Sequence, residues 1–157
     1  MENAQKRIRL QKIVSGGQTG VDRAALDAAL AAGQAVGGWC PAGRRAEDGV
    51  IAARYPLQET PSVDYAQRTA WNVRDSDGTL VLIADTPAGG TALTLQEAKR
   101  QGKALLVVDL HAPPEISAVA DWLATHEITV LNVAGPRESE APGIYGWAKA
   151  FMEMLLG

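Results

Sequence analysis

The chain has 157 residues, of which 46% are hydrophobic and 21% charged, with a formal net charge of −3; this is a globular composition, not a disordered one, and it is enough for one compact domain over residues 1–157 with a real core. The slightly acidic balance argues against bulk attraction to nucleic acid or an anionic membrane. A single cysteine, Cys40, excludes an intrachain disulfide and suits a reducing cytoplasm, and the polar, basic start "MENAQKRIRLQK" leads into no apolar run long enough for a signal peptide or membrane span.

"KIVS" (12–15) reads as a short strand, and the next residues are "GGQTG". Val21 to Ala32 follows as an alanine-rich helix closed by Gly33. The connecting loop therefore carries Gly16, Gly17, Gln18, Thr19 and Gly20, with Arg23 one turn into the helix. Its glycines permit positive φ and close approach, and the helix start supplies unpaired N–H groups, which together suit an anion. The other reading is a tight turn that serves helix–sheet packing; anion binding is preferred because two later loops repeat the chemistry. No Lys-Ser/Thr follows, so the loop is not a Walker loop. The second strand, "AVGG" (35–38), runs into "WC" without the acid that a dinucleotide fold uses to hold a ribose.

Residues 39–61 form an irregular stretch, far longer than the usual connection of about 2–6 residues. It contains Arg44, Arg45 and Asp48, and it is taken as functional. Cys40 could ligate a soft metal as thiolate, but it has no partner ligand nearby and reads more simply as a small buried side chain. Val63 to Val73 reads as a helix. Its apolar side is Val63, Ala66, Ala70 and Val73. Tyr65, Arg68, Thr69 and Asn72 recur on a different side, in the manner of a polar pocket wall or an interdomain surface. The acids of "DSDGT" are turn formers.

"TLVLIA" (79–84) is a strong buried strand. After it come Gly89, Gly90 and Thr91, with Thr91 expected to cap a helix over 92–101. "ALLVVDL" (104–110) is the next strand, residues 114–126 a helix, "ITVLNVA" (128–134) a strand and residues 144–156 a last helix. In the loop "AGPRESEAPG", Arg137 can reach a ligand phosphate, while Glu138 and Glu140 can serve hydroxyls or a metal; a solvated loop is the equal alternative. His111 and His126 are isolated, no Ser-His-Asp order or metal-ligand pair occurs, and the four tryptophans are too dispersed for a nucleic-acid platform.

Strands that are continuous Val/Leu/Ile runs, alternating with helices, imply an α/β fold: a mainly parallel sheet of about five strands between two helical layers. Ligands bind such sheets at the carboxyl ends of the strands, where the glycine-rich and charged loops collect.

The blocks "SGGQTGVDRAALDAAL", "GWCPAGRRAEDGVI", "YAQRTAWNVRDSDGTLVL", "GGTALTLQEA" and "NVAGPRESEAPGIYGWA" together resemble the family called putative molybdenum carrier proteins, across nearly the whole chain. That family is similar to the Rossmann-like superfamily of "lonely guy" phosphoribohydrolases and lysine-decarboxylase-like proteins. The resemblance implies a three-layer α/β/α Rossmann-like fold, a homo-oligomer (dimer or tetramer) and a pocket for a phosphorylated, nucleotide-like ligand. In relatives described as carriers, that ligand is the molybdenum cofactor, a pterin phosphate; no other cofactor is implied. The superfamily's enzymes carry Pro-Gly-Gly-x-Gly-Thr-x-x-Glu. Here Pro87-Ala88-Gly89-Gly90-Thr91 lacks the intervening x-Gly, and the nearest acid, Glu97, comes six residues after the threonine. The expectation is a carrier or binding protein whose phosphate contacts come from the residues named above. The alternative is a nucleotide N-glycosidic hydrolase using Glu97 or Glu138 as acid or base.

Overall fold

The computed structural model describes residues 9–157. Nine strands and five helices follow in chain order among them: β1 (Lys12–Val14), α1 (Val21–Ala31), β2 (Val36–Gly37), β3 (Trp39–Cys40), β4 (Arg45–Ala46), β5 (Gly49–Val50), β6 (Gln58–Glu59), α2 (Tyr65–Arg74), β7 (Gly78–Ile83), α3 (Gly89–Arg100), β8 (Ala104–Asp109), α4 (Ile116–Thr125), β9 (Val130–Ala134) and α5 (Ile144–Leu156). The main sheet has five strands in the order β2-β1-β9-β7-β8, all parallel. This is the expected three-layer α/β/α architecture. Helix α1 packs on α5, which also meets α4, while α2 packs on α3.

The register follows from burial. In β7, Leu80, Val81 and Leu82 are inaccessible to solvent, because helices cover both faces of a parallel strand. Asp77 fixes the start of the central pair: its carboxylate accepts hydrogen bonds from the Thr129 and Val130 N–H groups at 3.0 and 2.9 Å. The acid of the "DSDGT" turn thus aligns β9 with β7 as well as turning the chain.

The strand order creates the place for a ligand. The chain passes from β7 to α3 on one side of the sheet and from β9 to α5 in the other helical layer. The loops at the carboxyl ends of β7 and β9 therefore diverge and leave a crevice.

Three local features differ from expectation. Helix α2 begins at Tyr65 with Asp64 as N-cap, whose side chain accepts from the Ala66 N–H; Val63 lies outside the helix and is exposed. Helix α3 begins at Gly89, so Thr91 belongs to its first turn and does not cap it; the cap position is Ala88, which has no side-chain acceptor. The stretch 39–61 holds two small ladders, β3 parallel to β6 and β4 antiparallel to β5. Cys40 is buried there in a second core with Leu26, Ile51, Tyr55 and Leu57, and burial pushes its thiol pKa up, as suits a packed side chain more than a thiolate ligand.

Candidate functional site

The crevice is a cleft of about 160 Å³. One wall is the polar side of α2. Arg68, Thr69 and Asn72 are all buried and line the cleft with Tyr65. The Arg68 guanidinium donates to the Gly16 carbonyl at 2.8 Å and lies 5.2 Å from the centroid of the Tyr65 ring. Asn72 is spent locally: its amide brackets Trp39, accepting from the N–H at 2.7 Å and donating to the carbonyl at 2.9 Å.

The opposite wall is the start of α3, with Gly89, Gly90, Thr91 and Thr94. The N–H groups of Gly89 and Gly90 open the helix and have no intrahelical acceptor by position. Thr91 is 3% exposed, and its hydroxyl finds no hydrogen-bond partner among the described residues. A buried hydroxyl without a partner is uncommon. Thr94, by contrast, donates to the Gly90 carbonyl at 3.0 Å. Thr94 stands three residues after Thr91, where the superfamily's enzymes place their glutamate.

The floor is made by Asp22, Asn132 and Gly135, and Arg137 and Glu140 border it. Asn132 donates to the Thr79 hydroxyl at 3.3 Å. The Arg137 Nε is buried and makes no hydrogen bond, 3.6 Å from Glu47 and 3.7 Å from Glu140.

The opening glycine loop is approached by the chain itself. A Cβ on Gly16 would meet Arg68 at 2.4 Å, one on Gly17 would meet Leu57 at 2.6 Å, and one on Gly20 would meet the Pro136 carbonyl at 2.3 Å. The loop's donors are also answered from within. The Gly17 N–H reaches the Ser15 hydroxyl, the Gln18 N–H reaches the Asp22 carboxylate at 3.3 Å, and the Val21 N–H reaches the Pro136 carbonyl at 3.2 Å. At α1 the anion at the helix start is the protein's own Asp22; at α3 no side chain takes that role.

Of the residues singled out in the sequence, Gly16, Gln18, Arg68, Asn72, Gly89, Gly90, Thr91 and Arg137 line the cleft. Gly17, Thr19, Gly20, Arg23, Arg44 and Arg45 lie outside its lining. Arg23 donates to the Gly17 carbonyl and pairs with Asp48 at 3.0 Å. Arg44 donates to the carbonyls of Ile51, Ala52, Tyr55 and Leu57. Arg45 is exposed on β4. Glu97 binds Arg100 at 2.7 Å and Gln101 at 3.0 Å, and Glu138 accepts from the N–H groups of Gly143 and Tyr145 at the start of α5. Asp22, Asn132 and Gly135 escaped the sequence reading. A polar residue within the buried run "VLNVA" was the available signal for Asn132.

A family model described as the circularly permutated YpsA SLOG family matches residues 13–156. The chain belongs to that family. A crystal structure of a protein from Syntrophus aciditrophicus SB, described as "putative molybdenum carrier protein", is similar to this SLOG chain with 43% identity and a TM-score of 0.92. It covers 96% of this chain and 98% of its own. The resemblance drawn from the sequence blocks is borne out at the level of family and fold. No curated protein matches. No helix among the described residues is long and apolar enough to cross a membrane.

Proposed function

We propose that this SLOG chain binds and carries a phosphorylated small molecule, with the phosphate seated at the start of α3. The observation that carries this reading is the buried, unpartnered Thr91 hydroxyl beside the opening N–H groups of a helix that has no side-chain cap. A helix N-terminus favours an anion, and a phosphate oxygen would complete the hydrogen bonding of Thr91. Arg68 and Arg137 approach from the other walls and supply the positive charge.

The name of the Syntrophus relative favours a molybdenum-related cargo, and the pterin phosphate of the molybdenum cofactor fits the phosphate-binding wall; a nucleotide offers the same handle. Among the described residues no group of three His, Cys, Asp or Glu could hold a metal ion, so the contacts argued here are to phosphate and not to metal. Turnover is not part of this reading. Glu97 and Glu138 are both occupied outside the cleft, and Thr94 stands at the position of the enzymes' acid.

The test is calorimetric titration with ribose 5-phosphate. Thr91→Val keeps the shape and removes the hydroxyl, and we expect affinity to fall by about tenfold, the weight of one hydrogen bond to a charged group. Unchanged affinity in a folded Thr91→Val variant would sink the proposal.

A further inference from the structure

Beside the cleft lies a second hollow of about 160 Å³, and Glu140 lines both. It is formed by the end of β7 at Ala84 and Asp85, by His111 after β8, and by the start of α5 as far as Trp147. Trp147 is a large aromatic left 49% exposed on an otherwise amphipathic helix. The His111 ring stands against it edge-on, with centroids 4.9 Å apart and planes at 87°. This pair leaves an aromatic corner next to the phosphate-binding wall.

We infer that this hollow takes the ring of the ligand, and that the ring is an amino-substituted heteroaromatic bicycle. The inference rests on the phosphate reading above and goes on to name the rest of the ligand. Volume is the first argument. A cavity of about 150 Å³ holds one benzene-sized molecule, so the cleft has room for a phosphate and a sugar-sized group but not for a bicyclic ring as well. A heterocyclic monophosphate needs a second compartment.

Electrostatics is the second argument. The hollow's charged groups are Asp85 and Glu140, both acidic, with no lysine or arginine among its lining. The N-terminus of α5 gives it no anion site either, since Glu138 already takes the Gly143 N–H at 2.6 Å and the Tyr145 N–H at 3.0 Å. Such a lining disfavours a second phosphate. It accepts hydrogen bonds from ring N–H and amino groups while Trp147 offers a stacking surface.

The competing neighbour is the hollow near Trp39, which shares Asn72 with the cleft. There the shared side chain is locked by two hydrogen bonds to the Trp39 backbone and acts as a partition. Glu140 is held less firmly: its carboxylate accepts from the Arg137 N–H at 3.3 Å and remains 35% exposed. The cleft therefore continues towards Trp147.

The test compares GMP, ribose 5-phosphate and inorganic phosphate by isothermal titration calorimetry on the full chain. We expect GMP to bind at least about tenfold more tightly than ribose 5-phosphate, the scale of one aromatic stacking contact. Trp147→Ala should abolish that advantage and leave ribose 5-phosphate affinity unchanged, and Asp85→Ala should reduce the advantage; thermal melts check that both variants fold. If ribose 5-phosphate binds but GMP binds no better, or if Trp147→Ala leaves GMP affinity intact, the ring site is wrong and the phosphate site stands. If none of the three binds the wild-type chain, both readings fall.

Discussion

The guanidinium of Arg68 lies 3.9 Å from the carboxylate of Asp22, in the floor of the cleft. The pair does not keep Asp22 readily ionised. Burial raises its pKa to about 6, outweighing Arg68, the Gln18 N–H and Arg23, which all pull it down. A carboxyl whose folded pKa exceeds its ordinary value of 3.8 contributes stability below that value and loses the contribution as pH rises through the folded pKa. Asp22 should therefore destabilise the fold progressively between about pH 4 and pH 6. Asp22→Asn keeps an acceptor for the Gln18 N–H and removes the titration. We expect the variant to match wild type near pH 4 and to be more stable by roughly 1–3 kcal/mol at pH 8. Urea unfolding across that range measures the difference, and a pH-independent difference would refute the assignment.

Gly20 has φ of +75°, and a Cβ there would come within 2.3 Å of the Pro136 carbonyl and 2.8 Å of the Glu138 nitrogen. Both obstacles are backbone, so neither can rotate away. Gly33 is the control, because its φ is +72° and nothing lies within 4 Å. Gly33→Ala should cost only the backbone strain, about 1 kcal/mol. Gly20→Ala should cost at least about 2 kcal/mol more, since the loop after β9 must move. Parallel denaturant titrations of the two variants give the comparison.

Arg44 sits at a φ of +53°, and its guanidinium donates to four carbonyls, at distances from 2.7 Å (Ala52) to 3.1 Å (Ile51 and Leu57). It organises the segment 51–57 that covers Gly17. A lysine has one compact ammonium and cannot span four acceptors in a plane. Arg44→Lys should lose at least about 2 kcal/mol and open residues 51–57 to chymotrypsin, with little effect on ribose 5-phosphate affinity. An affinity loss in a fully stable variant would make Arg44 a ligand contact instead.

The sheet was legible because its strands are short apolar runs, and helices between such runs impose parallel crossovers. The start of α3 was less so. Gly-Gly-Thr resembles a capped turn, and only the backbone makes Thr91 a first-turn residue with a free hydroxyl. The glycine loop after β1 was the hardest part. Glycines permit close approach without saying what approaches, and the answers, Arg68, Leu57 and Pro136, lie 37 or more positions away in sequence. Arginines posed a similar problem. Arg23, Arg44 and Arg137 carry the same charge, but the first two are committed to carbonyls or Asp48, which no local pattern signals. The polar side of α2 could be read because Tyr, Arg, Thr and Asn at helical spacing are unusual on a solvated surface.

Glu47 joins three segments distant in sequence. Its carboxylate accepts from the hydroxyl of Thr19 and from the hydroxyl and N–H of Ser139, the latter two at 2.5 and 3.1 Å. Its own N–H donates to the Gln18 side chain at 2.8 Å. Arg137 stands 3.6 Å away. The Ser139 hydroxyl foremost, and then that of Thr19, hold the Glu47 carboxyl below its usual range. A lowered folded pKa gives stability that is present above the ordinary carboxylate value and lost as pH falls through the folded one, so the latch should be closed at neutral pH. Glu47→Gln leaves the size unchanged but replaces one accepting oxygen by a donor, which cannot satisfy both hydroxyls and the Ser139 N–H. We expect faster hydrogen exchange at the Glu138 and Ser139 amides, with the β7 amides unaffected. We also expect weaker ribose 5-phosphate binding, because Arg137 is no longer held at the cleft. Exchange at Ser139 equal to wild type would mean that the loop is held by its own turn and that Glu47 is not the latch.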